Sequence, residues 1–452
     1  MSSEELKMRD VVELALRHSS RLGVSGVEVY GTRYKRLTIN ASKGEIKSIL
    51  FNDESGLALR LNLNGRVVFS YINSLDINSI RSFIENTYKM LRSSPVDPLF
   101  KGFYEPSGEY RSPSEIYSPF ISQRLSDPED LIENIRSAVS EFDSDSFKVT
   151  WLYAGLGEAK QVIANSEGVF EEASTTFARM FVDAIAVDGI NRSPSIYEAD
   201  GWRNRIPDPW KMLEKAREKA FKSLRREKVS LPTEYNIILT PEGFIELFNA
   251  TYGEALLGIS YVNKSSPFID RLGEQIAPEC FTVIDDPQAP GKIGSIPFDG
   301  EGAPTYTKTV IENGILKTFL FNHYYGQIAG FASTGNASRA GYTSPPGISW
   351  SNIHIEPGDV KLEELLEDGN VILVDRIQGV FNARFQTGDY GGAGTPSWLY
   401  LKGGEVKPLG SISVSGNIYQ DIKKSCIATR DVEDKGSLRA PYILIRAKVH
   451  QI

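Results

Sequence analysis

The stretch that decides the fold is Asn236–Gly258, NIILTPEGFIELFNATYGEALLG, in which a short apolar run leads directly into a helical pattern. The run Asn236–Thr240 predicts a buried strand. Thr240-Pro241-Glu242 predicts the start of a helix, because a capping hydroxyl precedes a proline at the first helical position and an acid in the first turn. Core-type side chains then recur at helical spacing, at Phe244, Leu247, Phe248, Thr251 and Ala255.

This strand and helix have the layout of a zincin-type peptidase but lack its ligands. Such a peptidase carries two histidines one turn apart on the helix, with a glutamate beside them. The helix here contains no histidine, and only Glu246 and Glu254 remain as candidate acids. No metal-ligating side chain stands one turn from either glutamate. We therefore expect both to make solvent contacts or ordinary ion pairs.

The composition is that of a globular protein and excludes several function classes. The chain has 452 residues, 41% of them hydrophobic and 24% charged, which is enough for two or three domains. A net charge of −8 argues against a nucleic-acid binder. The sequence shows neither a membrane-spanning apolar run nor a secretory signal, so we expect no membrane partner. Two cysteines and four scattered histidines fit a reducing cytoplasm and disfavour a histidine-rich metal site.

The order of helical and strand patterns predicts an α+β protein in three parts. Residues 1–95 read as an N-terminal domain of helix, antiparallel sheet and helix. Residues 96–230 read as a middle α+β domain that begins with a Pro/Ser-rich segment, either a linker or an extended arm lying on the surface. Residues 231–452 read as a β-rich C-terminal domain. Turns are predicted at Lys43-Gly44, Glu54-Ser55-Gly56, Asn64-Gly65, Asn165–Gly168, Asn313-Gly314 and Gly403-Gly404.

A basic helix is predicted over Trp210–Lys228, after Asp208-Pro209. Phosphate binding is one interpretation of its many lysines and arginines. A solvated face above an apolar stripe is the one we favour, since charge runs on helices usually face water. The stripe consists of Leu213, Ala216, Ala220 and Leu224.

Acidic residues concentrate in one Pro/Gly-rich segment, as Asp285, Asp286, Asp299 and Glu301. A site for a hard cation with oxygen ligands is one interpretation. Turn chemistry is favoured, because the spacing fits no calcium loop and proline or glycine flanks the acids. The nearby Cys280 lies among apolar residues and is predicted to be in the core.

Thr387–Gly394 is the most glycine-rich stretch, TGDYGGAG. It is equally consistent with a mobile lid over a cleft and with a plain loop between strands. Gly335–Arg339, GNASR, lacks the Gly-Lys-Ser/Thr ending of a phosphate loop. The sequence contains neither a G-x-S-x-G elbow nor a suggestive Ser/His/Asp order.

Short motifs in a fixed order along nearly the whole chain resemble the PmbA/TldD family, historically called modulators of DNA gyrase. Each motif is weak alone, and their order and spacing carry the resemblance. They are Val27–Tyr30, Gly44–Ile46, Ser55–Arg60, Asn165–Gly168, Asp299–Thr305, Ile311–Leu316, Ser333–Asn336, Thr387–Asp389 and Gly416-Asn417.

The family resemblance implies two kinds of subunit in a cytoplasmic metallopeptidase. The TldD kind carries HExxxH on the helix after the first strand of the third domain, and a cysteine ligand near the C-terminus. The PmbA or TldE kind lacks both. Here the corresponding helix reads Phe248–Gly253, FNATYG, and the segment before Gly436-Ser437 reads DVEDK. Cys426 falls several residues earlier, so the ligand role is not carried onto it. The chain therefore resembles the TldE/PmbA kind.

For this chain the resemblance implies a fold, a partner and a substrate. It implies a dimer with a TldD-like subunit bearing HExxxH, or with itself, around a cavity that admits unfolded peptide. It implies no cofactor in this chain, and zinc only in the TldD-like partner. Peptide binding by strand addition is expected at edge strands near Thr387–Pro396. The candidate peptide-binding residues are Thr387, Gly388, Asp389, Tyr390, Asn336 and Arg339.

Two other functions stay open at this point. One is a self-associating peptide- or protein-binding protein with no proteolytic role. The other, ranked lowest, is a peptidase whose metal is held by the carboxylates of Asp285, Asp286, Asp299 and Glu301.

Overall fold

The computed structural model describes residues 7–425 and 427–451. Cys426, whose ligand role was considered above, lies outside the described residues. Within the described ranges, none of the helices combines the length and apolarity needed to cross a membrane. The fold is α+β with a β-rich C-terminal part, as the sequence predicts.

The first two predicted regions build helices around long antiparallel strands. Their elements are α1 (Met8–Ser20), β1 (Gly26–Ser42), β2 (Glu45–Leu63), β3 (Arg66–Ile72), α2 (Ile77–Ser93), α3 (Pro119–Ser126), α4 (Glu129–Phe142), β4 (Phe147–Asn165), β5 (Phe170–Asp188), β6 (Asn191–Arg192), β7 (Ile196–Trp202) and α5 (Pro209–Lys222).

Their strands form one continuous sheet. Its order is β3-β2-β1-β4-β5-β6, with β7 also paired to β5. Strand β1 pairs with β4 from Glu28↔Asn165 to Ala41↔Leu152, so the strands before and after the Pro/Ser-rich segment are directly hydrogen-bonded. One face of the sheet is covered by α1 and α2 at the β3 end, and by α3, α4 and α5 at the other end.

Most of the predicted turns in this sheet are confirmed, and one is wrong. Lys43 and Gly44 adopt positive φ angles between β1 and β2, and Asn64 and Gly65 do so between β2 and β3. By contrast, Glu54-Ser55-Gly56 is not a turn, because β2 runs through it and pairs there with β1 at Tyr34↔Glu54 and Thr32↔Gly56. Long-range pairing overrides the local turn signal.

The face of the sheet opposite the helices carries a row of aromatic rings, and we call it the open face. Tyr153 and Phe181 stack with ring centroids 5.4 Å apart, and Phe181 and Tyr197 stack at 6.0 Å. Trp151 extends the row and is 40% exposed. Arg376 of the C-terminal region covers the Tyr197 end of the row, whereas Trp151 at the other end is open to a ligand or another chain.

The Pro/Ser-rich segment lies against the C-terminal domain. Phe103 and Tyr104 of this segment are buried, and the Tyr110 hydroxyl donates to the Gly302 carbonyl oxygen over 2.7 Å. The Tyr324 hydroxyl donates to Asp97 over 2.8 Å. The segment is therefore an anchored arm rather than a detached linker.

The C-terminal region begins with the strand and helix predicted from Asn236–Gly258. Its elements are β8 (Glu234–Leu239), α6 (Pro241–Phe248), a π-helical turn (Asn249–Gly253), α7 (Gly258–Val262), β9 (Val283–Asp285), β10 (Lys308–Glu312), β11 (Ile315–Leu316), α8 (His323–Ala329), β12 (Ala337–Ser338), β13 (Gly347–Ile348), β14 (Ile353–Ile355), α9 (Leu362–Asp368), β15 (Val371–Gln378), a 3-10 turn (Val380–Asn382), β16 (Asp389–Tyr400), β17 (Val406–Asn417), α10 (Ile418–Ser425), β18 (Ile427–Lys435) and β19 (Leu438–Gln451).

Strand pairing in this region closes on itself. The order β8-β15-β16-β17-β19 returns to β8, so these five strands form a closed ring within a larger mixed sheet. Helix α6 packs its apolar side into the core of this region through Phe244, Leu247 and Phe248. Cys280 is exposed, contrary to prediction, because the next residue, Phe281, takes the inward position and is fully buried.

The lysines of α5 correct another expectation, since two of them face acids rather than water. The stripe Leu213, Ala216 and Ala220 is buried, as predicted. Lys219 contacts Glu198 of β7 at 2.5 Å and Asp375 of β15 at 2.6 Å, and both acids are almost fully buried. Lys215 also pairs with Glu198, at 3.1 Å. The basic helix therefore joins the first sheet to the C-terminal ring.

A second lysine completes this junction. Lys435, at the end of β18, lies 3.0 Å from Glu433, 3.1 Å from Glu242 of α6 and 3.7 Å from Glu198. We call Lys215, Lys219, Lys435 and their acids the junction cluster. Burial alone would lower the pKa of Lys435, but the acids raise it. Burial would raise the pKa of Glu433, but Lys435 and Lys215 bring it to about 2.

We predict that Lys435→Met lowers the free energy of unfolding by about 3 kcal/mol at neutral pH, because it leaves mostly buried carboxylates without their cation. The loss shrinks as pH falls below the ordinary glutamate range. The depressed pKa of Glu433 stabilises the fold above about pH 4.5, and that contribution disappears toward pH 2. Denaturant unfolding at pH 7.5 and pH 2.5 measures both effects.

Lys317→Met is the matched control, because Lys317 contacts a single exposed acid, Glu312, at 2.9 Å. Its cost should stay below about 1 kcal/mol. Equal losses for the two lysine variants would contradict a structural role for the junction cluster.

Candidate functional site

The position where the family resemblance places HExxxH is filled by aromatic rings. Thr240 caps α6 by accepting a hydrogen bond from the Gly243 N–H over 3.1 Å, and the π-helical turn follows Phe248. Phe248 and Tyr252 are fully buried and stack at 6.1 Å, with 13° between the ring planes. Tyr252 also stacks on Phe268 at 5.6 Å and meets Tyr419 edge-on at 4.8 Å.

This aromatic cluster does not fit a zinc ion. Zinc in proteins takes imidazole, thiolate or carboxylate ligands. The side chains from Phe248 to Gly253 offer two aromatic rings, an amide, a methyl and two hydroxyls. Both hydroxyls already donate to carbonyl oxygens, Thr251 to Leu247 over 2.6 Å and Tyr252 to Ile276 over 3.2 Å. Within residues 7–425 and 427–451, no three His, Cys, Asp or Glu side chains converge in a way that could hold a metal.

The four acids considered as an alternative metal site are bound to protein donors. Asp285 is fully buried and pairs with Lys308 at 3.0 Å. Asp286 accepts from the Gln288 N–H over 3.1 Å, which is the predicted turn role. Glu301 contacts Arg60 at 3.3 Å and accepts the His323 N–H over 2.7 Å. Their oxygen atoms therefore point to separate partners.

Asp299 is the most perturbed of these acids. Its carboxylate accepts three backbone N–H groups, from Glu301, Ala303 and Ala337, each over 2.9 Å. Burial and the neighbouring Glu301 nevertheless raise the pKa of Asp299 to about 7, against the effect of those hydrogen bonds. At neutral pH this carboxyl contributes less than a full negative charge.

Thr387–Tyr390 leads into strand β16 and is held in place by contacts with Asn417 and Tyr419. The Asn417 side-chain amide donates to the Thr387 carbonyl oxygen over 2.7 Å and to Asp389 over 2.9 Å. Gly388, at φ +86°, lies under the Tyr419 ring, where a side chain would collide. Tyr390 is buried, whereas Thr387 and Asp389 are exposed.

The expected edge strand near Thr387–Pro396 is present over Tyr390–Gly392, where β16 pairs with β17 alone, and is wrong from Ala393 onward. Strand β16 starts at Asp389 and pairs with β17 along its length. From Ala393 onward it pairs with β15 on its other side. Ala393–Pro396 therefore lies inside the sheet, since the closed ring leaves that stretch no edge. Neither a lid nor a loop begins at Asp389.

Asn336 and Arg339 lie together on a different part of the molecule. Asn336 bridges Asp285 and Lys308, over 2.7 Å and 3.2 Å. Arg339 donates to the Gly300 carbonyl oxygen over 2.7 Å, pairs with Glu28 of β1, and lies over the Tyr30 ring at 5.0 Å. Both line a cavity of about 410 Å³ between the open face and the C-terminal region. Among its described lining residues, none belongs to Thr387–Tyr390.

Two arginines that the sequence did not single out line the same cavity. Arg179 projects from β5 on the open face and is exposed. Arg203 follows β7 and donates to the carbonyl oxygens of Lys292, over 3.1 Å, and Thr176, over 3.3 Å. Burial lowers the pKa of Arg203 to about 10, and the nearby Arg179 adds to this effect. In the sequence, the only sign of a role for Arg179 is its position in a strand where apolar and polar residues alternate.

A second cavity of about 270 Å³ adjoins the first and shares Arg179, Ile293 and Ser437 with it. Its polar side also includes Asp200 of β7, Glu242 of α6, Lys435 and Gly436. We call the two cavities together the cleft. The cleft lies beside α6 and Gly436-Ser437, the two places where the resemblance expects catalytic residues in a TldD-type subunit.

Comparison with known proteins agrees with this architecture. Family profiles match three segments, described as PmbA/TldA metallopeptidase domain 1 at residues 27–91, central domain at 118–224 and C-terminal domain at 232–450. An uncharacterized protein of Methanocaldococcus jannaschii is 27% identical over 93% of this chain and 95% of its own length. The metalloprotease PmbA homolog of Haemophilus influenzae is 24% identical over 98% and 96%.

A solved structure shares the fold. The crystal structure of TldE from Thermococcus kodakarensis superposes with a TM-score of 0.85 at 23% identity, covering 97% of this chain and 99% of that one. The three matched segments follow one another along the chain. Domain 1 and the central domain cover strands of the first sheet, and the C-terminal domain covers the closed ring. The chain belongs to the PmbA/TldD family of metallopeptidases.

Proposed function

We propose that this chain is the non-catalytic, TldE/PmbA-like subunit of a two-subunit metallopeptidase that cleaves unfolded peptides. The observation that carries the proposal is the aromatic cluster at Phe248 and Tyr252, which stands where a catalytic subunit would hold its zinc-binding histidines. In this proposal the TldD-like partner supplies zinc and the hydrolytic chemistry. This chain supplies part of the cavity wall and contacts to the peptide.

The acids on α6 and just after it support a non-catalytic role. Glu246 pairs with Arg376, which itself lies over the Tyr197 ring at 4.3 Å. Burial raises the pKa of Glu246 and Arg376 opposes that effect. Glu254 is exposed. No metal-ligating side chain stands one turn from either glutamate in the sequence, and a general base in metal-assisted hydrolysis works beside a metal-bound water.

The open face supports association with another chain. On the open face, Leu50 of β2 is 55% exposed and Trp151 is 40% exposed. Large exposed apolar patches mark interaction surfaces. The proposal assigns this surface to the cavity shared with the TldD-like partner, and places the complex in the cytoplasm, where a 452-residue chain with two cysteines is expected to work. Self-association without proteolysis is the alternative.

We predict that the purified chain retains no stoichiometric zinc. The physical reason is the absence of ligand-type side chains at Phe248–Gly253. Elemental analysis after mild chelation measures it, with an HExxxH-bearing relative as the positive control. About one zinc per chain, retained by this protein, would refute the proposal.

We predict that peptide hydrolysis requires both chains and that Glu246→Gln and Glu254→Gln leave the rate of the mixture within a few-fold. Each chain alone, and the mixture, is assayed on a flexible peptide with and without chelator, while light scattering reports the complex. Chelator-insensitive cleavage by this chain alone, lost in either glutamine variant, would show that it is catalytic. A stable homodimer with no activity in any mixture would favour the alternative.

Exposed Thr387 and Asp389 remain proposed peptide contacts. If they touch the substrate, Asp389→Asn should raise KM of the mixed complex more than it lowers kcat. Asp145→Asn is the control, because Asp145 is a fully exposed acid that contacts only Lys148, at 3.7 Å. An unchanged KM would remove this segment from the proposed peptide site.

A further inference from the structure

The cleft contains two arginines that no carboxylate neutralises. Among the described residues, neither Arg179 nor Arg203 makes an ion pair, although both line the 410 Å³ cavity. Arg203 reaches only carbonyl oxygens, and the exposed Arg179 has no described hydrogen bond. A partly buried arginine normally has an anion nearby, because desolvating a charge without a partner is costly.

The other charges at the cavity are already matched. Arg339 pairs with Glu28, and Glu28 also pairs with Arg60 at 3.2 Å. Asp299 directs its oxygens at three backbone N–H groups. Asp200, in the adjoining cavity, accepts from the Gly201 N–H and the Trp202 indole N–H, each over 2.8 Å. The excess positive charge of the cavity therefore comes from Arg179 and Arg203, whose guanidinium groups remain available to bind a ligand.

The approach to this pair is shaped for an extended chain. Phe181 lies two residues beyond Arg179 on the same strand face, and it stacks between Tyr153 and Tyr197. Opposite Arg179 the sheet carries Gly155 on β4 and Gly201 on β7, so neither neighbour has a side chain to cover the guanidinium. A peptide lying on the aromatic row would bring its next group to Arg179.

We propose that Arg179 and Arg203 form a binding site for a carboxylate of the peptide, either its C-terminus or an acidic side chain. Guanidinium groups bind carboxylates through two parallel hydrogen bonds, which gives orientation as well as affinity. The inference rests on the proposed peptide substrate, and it assigns to this subunit the selection and orientation of peptides that the partner cleaves.

The test measures binding directly, without the partner. Fluorescence anisotropy with the full chain compares three labelled peptides of one flexible sequence: a free C-terminus, a C-terminal amide, and an amide with one internal Asp. We expect the free acid or the Asp peptide to bind at least tenfold more tightly than the plain amide. Which of the two gains affinity identifies the source of the carboxylate.

Variants locate the effect. Arg179→Gln should abolish the preference, and because Arg179 is exposed the fold should not change. Arg203→Gln should do the same, and Arg203→Lys should keep part of it, since the charge remains but the planar fork is lost. Arg36→Gln is the matched control, because Arg36 is exposed on the same sheet face but lies outside the cleft. It should leave the preference intact.

Several results would overturn the inference. These are equal binding of all three peptides, no binding of any, or a preference that survives Arg179→Gln. Displacement by millimolar inorganic phosphate without any carboxylate preference would indicate a phosphate site instead. The outcome is separable from the subunit proposal: an active mixture with no preference refutes only the carboxylate site, whereas a preference in an inactive mixture refutes only the peptidase role.

Discussion

The junction cluster is the interaction on which the positions of the other parts depend. Glu198 is almost fully buried at the seam between the first sheet and the C-terminal ring, and it contacts lysines from both sides of that seam. Charges in such a place are stable only when their partners are held in good geometry. The cluster therefore fixes the distance between sheet and ring, and that distance sets the width of the cleft.

The aromatic cluster fills, as ordinary core, the position where the resemblance expects the metal ligands of a TldD-type subunit. A zinc site needs several polar ligands held near one point, with a supporting second layer of hydrogen bonds. Phe248, Tyr252, Phe268 and Tyr419 instead fill the same space by stacking and edge-on contacts. Such rings gain stability from apolar burial and favourable ring geometry. Recovering a metal here would require removing several large side chains at once.

The cleft joins the two halves of the proposed function. Its walls come from β5, the segment after β7, the Asp299–Arg339 loops and the turn at Gly436-Ser437. Two arginines without a carboxylate partner attract an anion, and the half-buried Arg203 does so more strongly than an arginine on an open surface. The protein as a whole is acidic, with a net charge of −8, so this local positive charge is a feature of the cleft and not of the composition.

The sequence by itself determined the local structure and the family. The strand and helix at Asn236–Gly258 and the turns at Lys43-Gly44 and Asn64-Gly65 follow from short-range signals such as capping residues, periodicity and turn-forming glycines. The family follows from the resemblance carried by short motifs in a fixed order along the chain. The sequence also showed that α6 carries no histidine ligand, because the residue types on a helix can be read without knowing the fold.

Only the tertiary structure decided what those elements do together. Strand β2 continues through Ser55 instead of turning there. Contacts with Asn417 and Tyr419 hold Thr387–Tyr390 in place, and Lys219 pairs with buried acids. Arg179 and Arg203 meet in one cavity. Each of these depends on strand pairing or packing between residues far apart in the chain. A local pattern carries no information about which distant side chain will be opposite, and that partner sets the burial, the charge balance and therefore the chemistry of the site.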